Sequence, residues 1–124
     1  MIYLGPIKDR ERIETLFSSN NIPFNEFSCC VTADSGGEIL GYCLYELTDK
    51  KMTVHFIEPL NDISLADGIL RSTLHVAAEK SIMDAFYSDT LPEDFLQKIG
   101  FIKDKEEKTL EINKLFQSCC NCGK

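Results

Sequence analysis

The sequence predicts a single α+β domain in which helices flank a mixed, mostly antiparallel sheet. Two observations lead to this fold class. An amphipathic helical segment is followed by several strand-like segments with short turns, and the apolar period then changes from that of a strand to that of a long helix. The chain has 124 residues, which is the size of one domain. We expect residues 1–116 to form it, with residues 117–124 as a Cys-rich tail.

The first half of the chain predicts one helix and three strands. Ile13, Leu16 and Phe17 have the i, i+3, i+4 spacing of one helical face, which indicates an amphipathic helix over residues 8–19. Three strands separated by short turns follow and form an antiparallel meander. These strands are predicted at residues 27–33, 38–47 and 52–57.

The second half alternates helices and strands. A broad apolar face predicts a long helix over residues 65–80, and a buried strand is predicted at 82–87. Thr90 and Glu93 have the residue types of a capping box, which predicts the start of a short helix there. Gly100 is expected to end that helix in a left-handed conformation. A final antiparallel pair of strands is predicted at residues 101–103 and 108–112.

Charge and hydropathy exclude several classes of partner. The formal net charge is −7 and the pI is about 4.8, and there is no cluster of Lys and Arg of the kind that binds nucleic acid. Apolar runs are only a handful of residues long, whereas a membrane span needs about 20. The first residues show no basic leader followed by an apolar segment. We therefore expect a cytoplasmic protein that binds neither nucleic acid nor membrane.

Three passages in a fixed order carry a resemblance to a known family. The strand pair GEILGYCLYEL and KKMTVHFIEP ends in Ile57-Glu58-Pro59, the stretch SLADGILRSTLHVAAEKSI follows it, and DFLQKIGF ends in Gly-Phe. Together these passages resemble the GCN5-related N-acetyltransferase (GNAT) family over residues 8–112. The resemblance implies acetyl transfer from acetyl-CoA to a primary amine of a small molecule or peptide. It also implies a possible homodimer.

The resemblance assigns a set of cofactor-binding residues. The family's phosphate-binding pattern is Gln or Arg, two variable residues, Gly, one variable residue, then Gly or Ala. It falls on residues 63–68, where Gly68 matches and Ala66 replaces the first glycine. The resemblance implies that Ala66, Asp67, Gly68 and Ile69 hold the pyrophosphate at a helix N-terminus. The backbone at Ile57 is implied to polarise the acetyl carbonyl.

The resemblance also indicates catalytic positions, and one of them departs from the family. Glu58 is the nearest candidate for the base that removes a proton from the amine, and His55 is the next. The family often has a tyrosine that protonates the departing thiolate, but that position is Leu96 here. Tyr87 would substitute only if the following loop brought it close. The alternative hypothesis is therefore a degenerate GNAT-like domain that binds CoA or a protein partner without turnover.

The cysteines suggest a third, weaker hypothesis. The chain has six, which are Cys29, Cys30, Cys43, Cys119, Cys120 and Cys122. The last three would suit a soft metal or a redox role, although a frayed tail with reactive thiols is the simpler interpretation, and we assign no metal site. Disulfides are not expected in a reducing compartment. Neighbouring Cys29 and Cys30 should point to opposite faces of a strand.

Overall fold

The computed structural model describes residues 2–112, which form one sheet flanked by helices. Along the sheet the described strands lie in the order β1-β2-β3-β4-β5-β7-β6. The elements, in chain order, are β1 (Tyr3–Pro6), α1 (Arg10–Ser19), β2 (Ser28–Ser35), β3 (Glu38–Leu47), β4 (Met52–Glu58), α2 (Ile63–Glu79), β5 (Ala85–Tyr87), α3 (Glu93–Ile99), β6 (Ile102–Asp104) and β7 (Thr109–Leu110).

The predicted mixed sheet is confirmed. Strands β2, β3 and β4 form the antiparallel meander, and the turn between β2 and β3 places Gly36 and Gly37 at positive φ angles of 60° and 89°. Glycine adopts this conformation without steric cost, and it matches the twist of a tight hairpin. β4 and β5 are parallel, whereas β5, β7 and β6 are antiparallel neighbours. The final pair of strands was therefore also predicted correctly.

The structure adds a strand that the sequence did not predict. β1 pairs antiparallel with β2, with Tyr3 opposite Asp34 and Pro6 opposite Val31. This strand is short and contains both Gly5 and Pro6, two residue types that are depleted in strands. It lies at the edge of the sheet, where a proline can be accommodated because one side of the strand makes no ladder. The extended conformation of β1 therefore depends on its pairing with β2, which is distant in the sequence.

Two apolar clusters lie on opposite faces of the sheet. Ile13 and Phe17 of α1 pack with Cys30 and Leu44 on one face. The larger cluster on the other face combines the buried stripe of α2 and the apolar side of α3 with inward residues of the central strands. Cys29 packs against this second cluster. The prediction that Cys29 and Cys30 face opposite ways is therefore confirmed.

Helix α1 begins with a carboxylate cap. Asp9 Oδ1 accepts hydrogen bonds from the backbone N–H groups of Glu11 and Arg12 at 3.1 and 3.4 Å. We expect Asp9→Ala to lower the free energy of unfolding by about 1 kcal/mol, because two helix N–H groups lose their acceptor. Asp9→Asn should cost only a fraction of this, since the amide oxygen can still accept. Urea unfolding of both variants tests the assignment, and equal losses would contradict it.

The predicted capping box at the third helix is wrong. The N-cap of α3 is Pro92, which makes no side-chain cap hydrogen bond. Thr90 instead donates its hydroxyl to the carbonyl oxygen of His55 on β4. The predicted end of α3 is confirmed, because Gly100 is left-handed at φ 75° and its N–H donates to Leu96 and Gln97. The Thr90 hydroxyl therefore binds a carbonyl that is distant in the sequence and does not cap the helix.

The second helix and the strand after it also differ from the prediction in their bounds. α2 begins at Ile63, two residues earlier than expected, because Asp62 caps it. β5 is limited to Ala85–Tyr87, since the chain first turns through Ser81 at φ 61°. Ile82 is nonetheless buried, as its apolar character suggested. No helix among residues 2–112 is both long and apolar enough to cross a membrane.

The three described cysteines are free thiols in different surroundings. Burial raises the pKa of all three thiols, that of Cys30 to about 12, but Cys29 alone is half-buried while Cys30 and Cys43 are inaccessible to solvent. We expect iodoacetamide at about pH 8 to alkylate Cys29 in the folded protein and to leave Cys30 and Cys43 unmodified, because the thiolate is the reactive form. Peptide mass mapping checks this. Equal labelling of all three before unfolding would contradict it. The cysteine tail lies outside the described residues.

Candidate functional site

The carboxyl end of β4 lies where two neighbouring strands separate. β4 pairs with β3 as far as Glu58, but its parallel pairing with β5 ends at Val54, opposite Tyr87. The loop after β5 then contacts β4 twice, through the Ser88 N–H donating to the Val54 carbonyl at 3.0 Å and through the Thr90 hydroxyl. The backbone of β4 beyond His55 therefore extends past the end of the β5 ladder.

A bulge precedes this end of β4 and decides which way its side chains face. Phe56 pairs with Leu44 and Val54 pairs with Tyr45, so His55 is an extra residue in β4. The Nε2 atom of His55 lies 3.4 Å from the Glu46 carboxylate on β3. A bulge re-aims the residues that follow it. Here it turns Phe56 toward the α1 face and leaves Ile57 buried in the larger core.

Glu58 opens onto a cavity on the α1 face. This cavity has a volume of about 530 Å³, and its apolar walls include Leu40, Phe56 and Leu60. Glu58 is exposed to solvent, whereas His55 is half-buried against Glu46. Of the two bases that the sequence suggested, Glu58 therefore lines the cavity and His55 is directed toward β3.

Tyr42 supports the position of Glu58. The two residues are partners in the β3–β4 register, and the Tyr42 hydroxyl accepts a hydrogen bond from Asn20 Nδ2 at 3.1 Å. Burial raises the pKa of Tyr42, and the nearby Glu58 carboxylate adds to this shift against the lowering effect of Asn20. The hydroxyl is therefore protonated at neutral pH. Sequence reasoning missed this pair because only the strand register brings the two residues together.

A carboxylate occupies the N-terminus of α2. Asp62 is the N-cap residue, and its Oδ1 accepts from the Leu65 N–H at 3.2 Å. The first intrahelical bond runs from the Ala66 N–H to the Asp62 carbonyl at 2.9 Å. A free helix N-terminus attracts anions, but here an acidic side chain already accepts from one of its N–H groups. The sequence signal was an Asp directly before the helical pattern.

The predicted cofactor-binding residues lie within the first two turns of α2 and at the end of β4. Ala66 and Ile69 are fully buried in the core, and so is the side chain of Ile57. Asp67 accepts two hydrogen bonds from the Arg71 guanidinium, at 3.1 and 3.2 Å. Gly68 lines an open groove of about 720 Å³ between α2 and β1. A cofactor role for these five residues stays a prediction.

Leu96, which stands where the family often has a proton-donating tyrosine, is a core residue. Leu96 is fully buried between α3 and the sheet. Tyr87, which the sequence offered as a substitute, donates its hydroxyl to Glu93 Oε2 at 2.9 Å. Burial and this carboxylate raise the pKa of Tyr87 to about 12. Tyr87 therefore keeps its proton at neutral pH and directs it toward α3.

Comparisons with known proteins agree with this architecture. No protein-family model and no curated protein matches the sequence. Among solved structures, the AtaT toxin bound to the C-terminus of the antitoxin AtaR superposes with a TM-score of 0.61 at 12% identity, covering 96% of this chain and 97% of that one. A protein described as a GNAT-family acetyltransferase from Desulfovibrio desulfuricans gives 0.56 at 14% identity, covering 82% and 85%.

The chain has the GNAT fold. A further structure with this fold, the N-acetyltransferase-like YhhK of E. coli bound to coenzyme A, gives a TM-score of 0.53 at 13% identity, with 90% and 95% of the two chains covered. The fold class that the sequence predicted is confirmed. Within this fold, β4 continues to Glu58 after its pairing with β5 has ended at Val54.

Proposed function

We propose that this protein transfers an acetyl group from a pantetheine thioester, such as acetyl-CoA, to a primary amine. The observation that carries the proposal is the position of Glu58. Its carboxylate lines an open cavity at the end of β4, at the point where β4 has left β5. A base and a set of main-chain N–H groups at one strand end are what acyl transfer to an amine requires.

The proposed reaction uses one side chain and one backbone group of this protein. A bound acetyl thioester supplies the electrophilic carbonyl carbon. Glu58 takes a proton from the ammonium form of the acceptor, so that the amine nitrogen bonds to the carbonyl carbon as the carbon–sulfur bond breaks. The backbone at Ile57 donates to the carbonyl oxygen while it carries negative charge. The acylated nitrogen releases its second proton to water. The sulfur leaves as a thiolate and takes a proton from water, since Leu96 has none to give.

The acceptor is proposed to be an amine with an apolar body, as a free molecule or in a peptide. The cavity beside Glu58 offers this one carboxylate together with the side chains of Phe56 and Leu60. A net charge of −7 also favours the approach of a cationic amine. Dimer formation and a cytoplasmic location stay predictions.

A second candidate is the degenerate domain that binds without turnover. The specific observation in its favour is Leu96, which is buried where the GNAT family often has a proton donor. In that case the site would bind CoA or a protein partner and release no product. General acid catalysis typically contributes about 10²–10⁴-fold to a rate, so the loss of this donor would lower the rate of transfer without excluding it.

Product formation separates the two candidates. The reduced protein is incubated with acetyl-CoA and a panel of alkyl amines and lysine peptides, and acetylated amine is measured by mass spectrometry. The proposal expects product that increases with enzyme concentration and is lost in Glu58→Gln. Saturable binding of CoA with no product from any amine would support the non-catalytic candidate. Absence of both binding and product would overturn both candidates.

A further inference from the structure

The charges at the N-terminus of α2 are unfavourable for binding a phosphate. Asp62 is exposed at the cap and places a full negative charge at the N–H groups that an anion would need. The next ionisable residue on the helix is Asp67, a second carboxylate. Either carboxylate would repel a phosphate placed at the helix terminus, and this repulsion opposes the attraction of the helix dipole.

The nearest cation on the helix is already engaged. The Arg71 guanidinium makes two hydrogen bonds to Asp67, and its central carbon lies 5.0 Å above the ring of Phe101. It therefore bridges α2 to the chain that follows α3. Both hydrogen bonds come from the Arg71 Nε–H, and the Asp67 carboxylate offsets the positive charge that would attract a phosphate. Within the described part of the chain, no lysine or arginine lies between Pro59 and Arg71.

The groove beside the start of α2 is mostly apolar. Leu4 of β1, Leu40 of β3 and Leu65 of α2 line it together with Gly68. A Cβ atom built on Gly68 would lie 3.5 Å from the Leu4 side chain, which is ordinary contact. Gly68 therefore faces β1 with room for a methyl group.

We infer that Asp62 closes the start of α2 to phosphate, so that the chain recognises its donor by the acyl-pantetheine arm and not by the diphosphate of CoA. Binding of the pantetheine arm rests on the proposed function. Exclusion of the phosphate rests on the charges around Asp62. The donor class is then a thioester of pantetheine, with or without the nucleotide. Asp62 is the residue that determines this specificity.

Calorimetric titration of CoA and of pantetheine into the reduced protein tests the inference. The expected result is dissociation constants within about threefold of each other for the two ligands. In Asp62→Asn the amide still caps Leu65 but the charge is gone, and CoA should bind about tenfold more tightly while pantetheine is unchanged. Glu14→Gln on α1 removes an equal charge from an exposed site and should change neither constant.

Two outcomes overturn the inference and leave the proposed function in place. One is a preference of the unmodified protein for CoA over pantetheine of more than about tenfold. The other is an Asp62→Asn variant whose CoA affinity equals that of Glu14→Gln. Binding of neither ligand would instead overturn the proposed function. The exclusion is then decided with inorganic pyrophosphate, followed by amide NMR shifts at Ile63, Ser64 and Leu65. Saturable shifts confined to Asp62→Asn support it, and equal responses in both proteins refute it.

Discussion

Replacing Gly41 with alanine is expected to lower the free energy of unfolding by about 3 kcal/mol. A Cβ atom at this position of β3 would lie 2.5 Å from the Glu58 carbonyl oxygen, 2.7 Å from Pro59 Cδ and 2.8 Å from Ile69 Cδ1. Two of these neighbours belong to the chain that leaves β4 for α2, and a backbone oxygen there cannot rotate away. The methyl group would therefore push α2 and the end of β4 away from β3. Urea unfolding followed by circular dichroism measures the loss.

Gly68→Ala is the matched control for this prediction. The position is helical, and an added Cβ meets only the Leu4 side chain at 3.5 Å. Alanine in a helix interior is favoured over glycine by about 0.5 to 1 kcal/mol, so this variant should be slightly more stable than the natural protein. A Gly41→Ala protein with an unchanged unfolding midpoint would show that the β4–α2 connection does not pack on Gly41 in solution.

Replacing Glu58 with glutamine is expected to lower the rate of acetyl transfer by about 100-fold or more. Glutamine keeps the shape of the side chain in the cavity but cannot accept a proton from the amine. Donor affinity should stay the same, because glutamine keeps the size of the side chain and Glu58 is not among the residues proposed to bind the donor. The measurement is kcat and KM for the best amine from the panel, together with a thioester binding constant.

His55→Gln provides the comparison for Glu58. The His55 ring pairs with Glu46 across β3 and β4, so its loss should change transfer by less than about threefold once stability is equal. If His55→Gln abolished transfer and Glu58→Gln did not, the assignment of the base would be wrong. A rate unaffected in both variants would mean that the amine arrives already deprotonated.

Much of the fold could be predicted because its signals are local. The helical spacing of Ile13 and Phe17, the Gly36-Gly37 turn and the left-handed Gly100 each depend on a few neighbouring residues. Strand β1 could not be predicted, because its four residues have low strand propensity and are held by pairing with β2. Thr90 was misassigned for a similar reason, since the carbonyl of His55 accepts its hydroxyl from 35 residues away.

Glu58 was chosen from the family resemblance as the carboxylate nearest the end of the third predicted strand, and it is the last residue of β4. Its role as a base stays a prediction. Its partner Tyr42 depends on the register between β3 and β4, and that register includes a bulge at His55 which no short pattern in the sequence indicates. Asp62 was visible as an Asp before a helix, but the proposed exclusion of phosphate depends on its position as the cap of α2.

The sequence by itself determined the α+β class, the order of most elements, the hairpin turns and the acidic surface, because propensity, periodicity and charge are properties of short segments and of composition. Only the tertiary structure decided that β1 joins the sheet and that His55 lies beside Glu46. It also decided that the chain leaving β4 packs directly against Gly41. These features join residues far apart in the sequence. Their energies come from close packing and from hydrogen bonds that exist only after the sheet has formed.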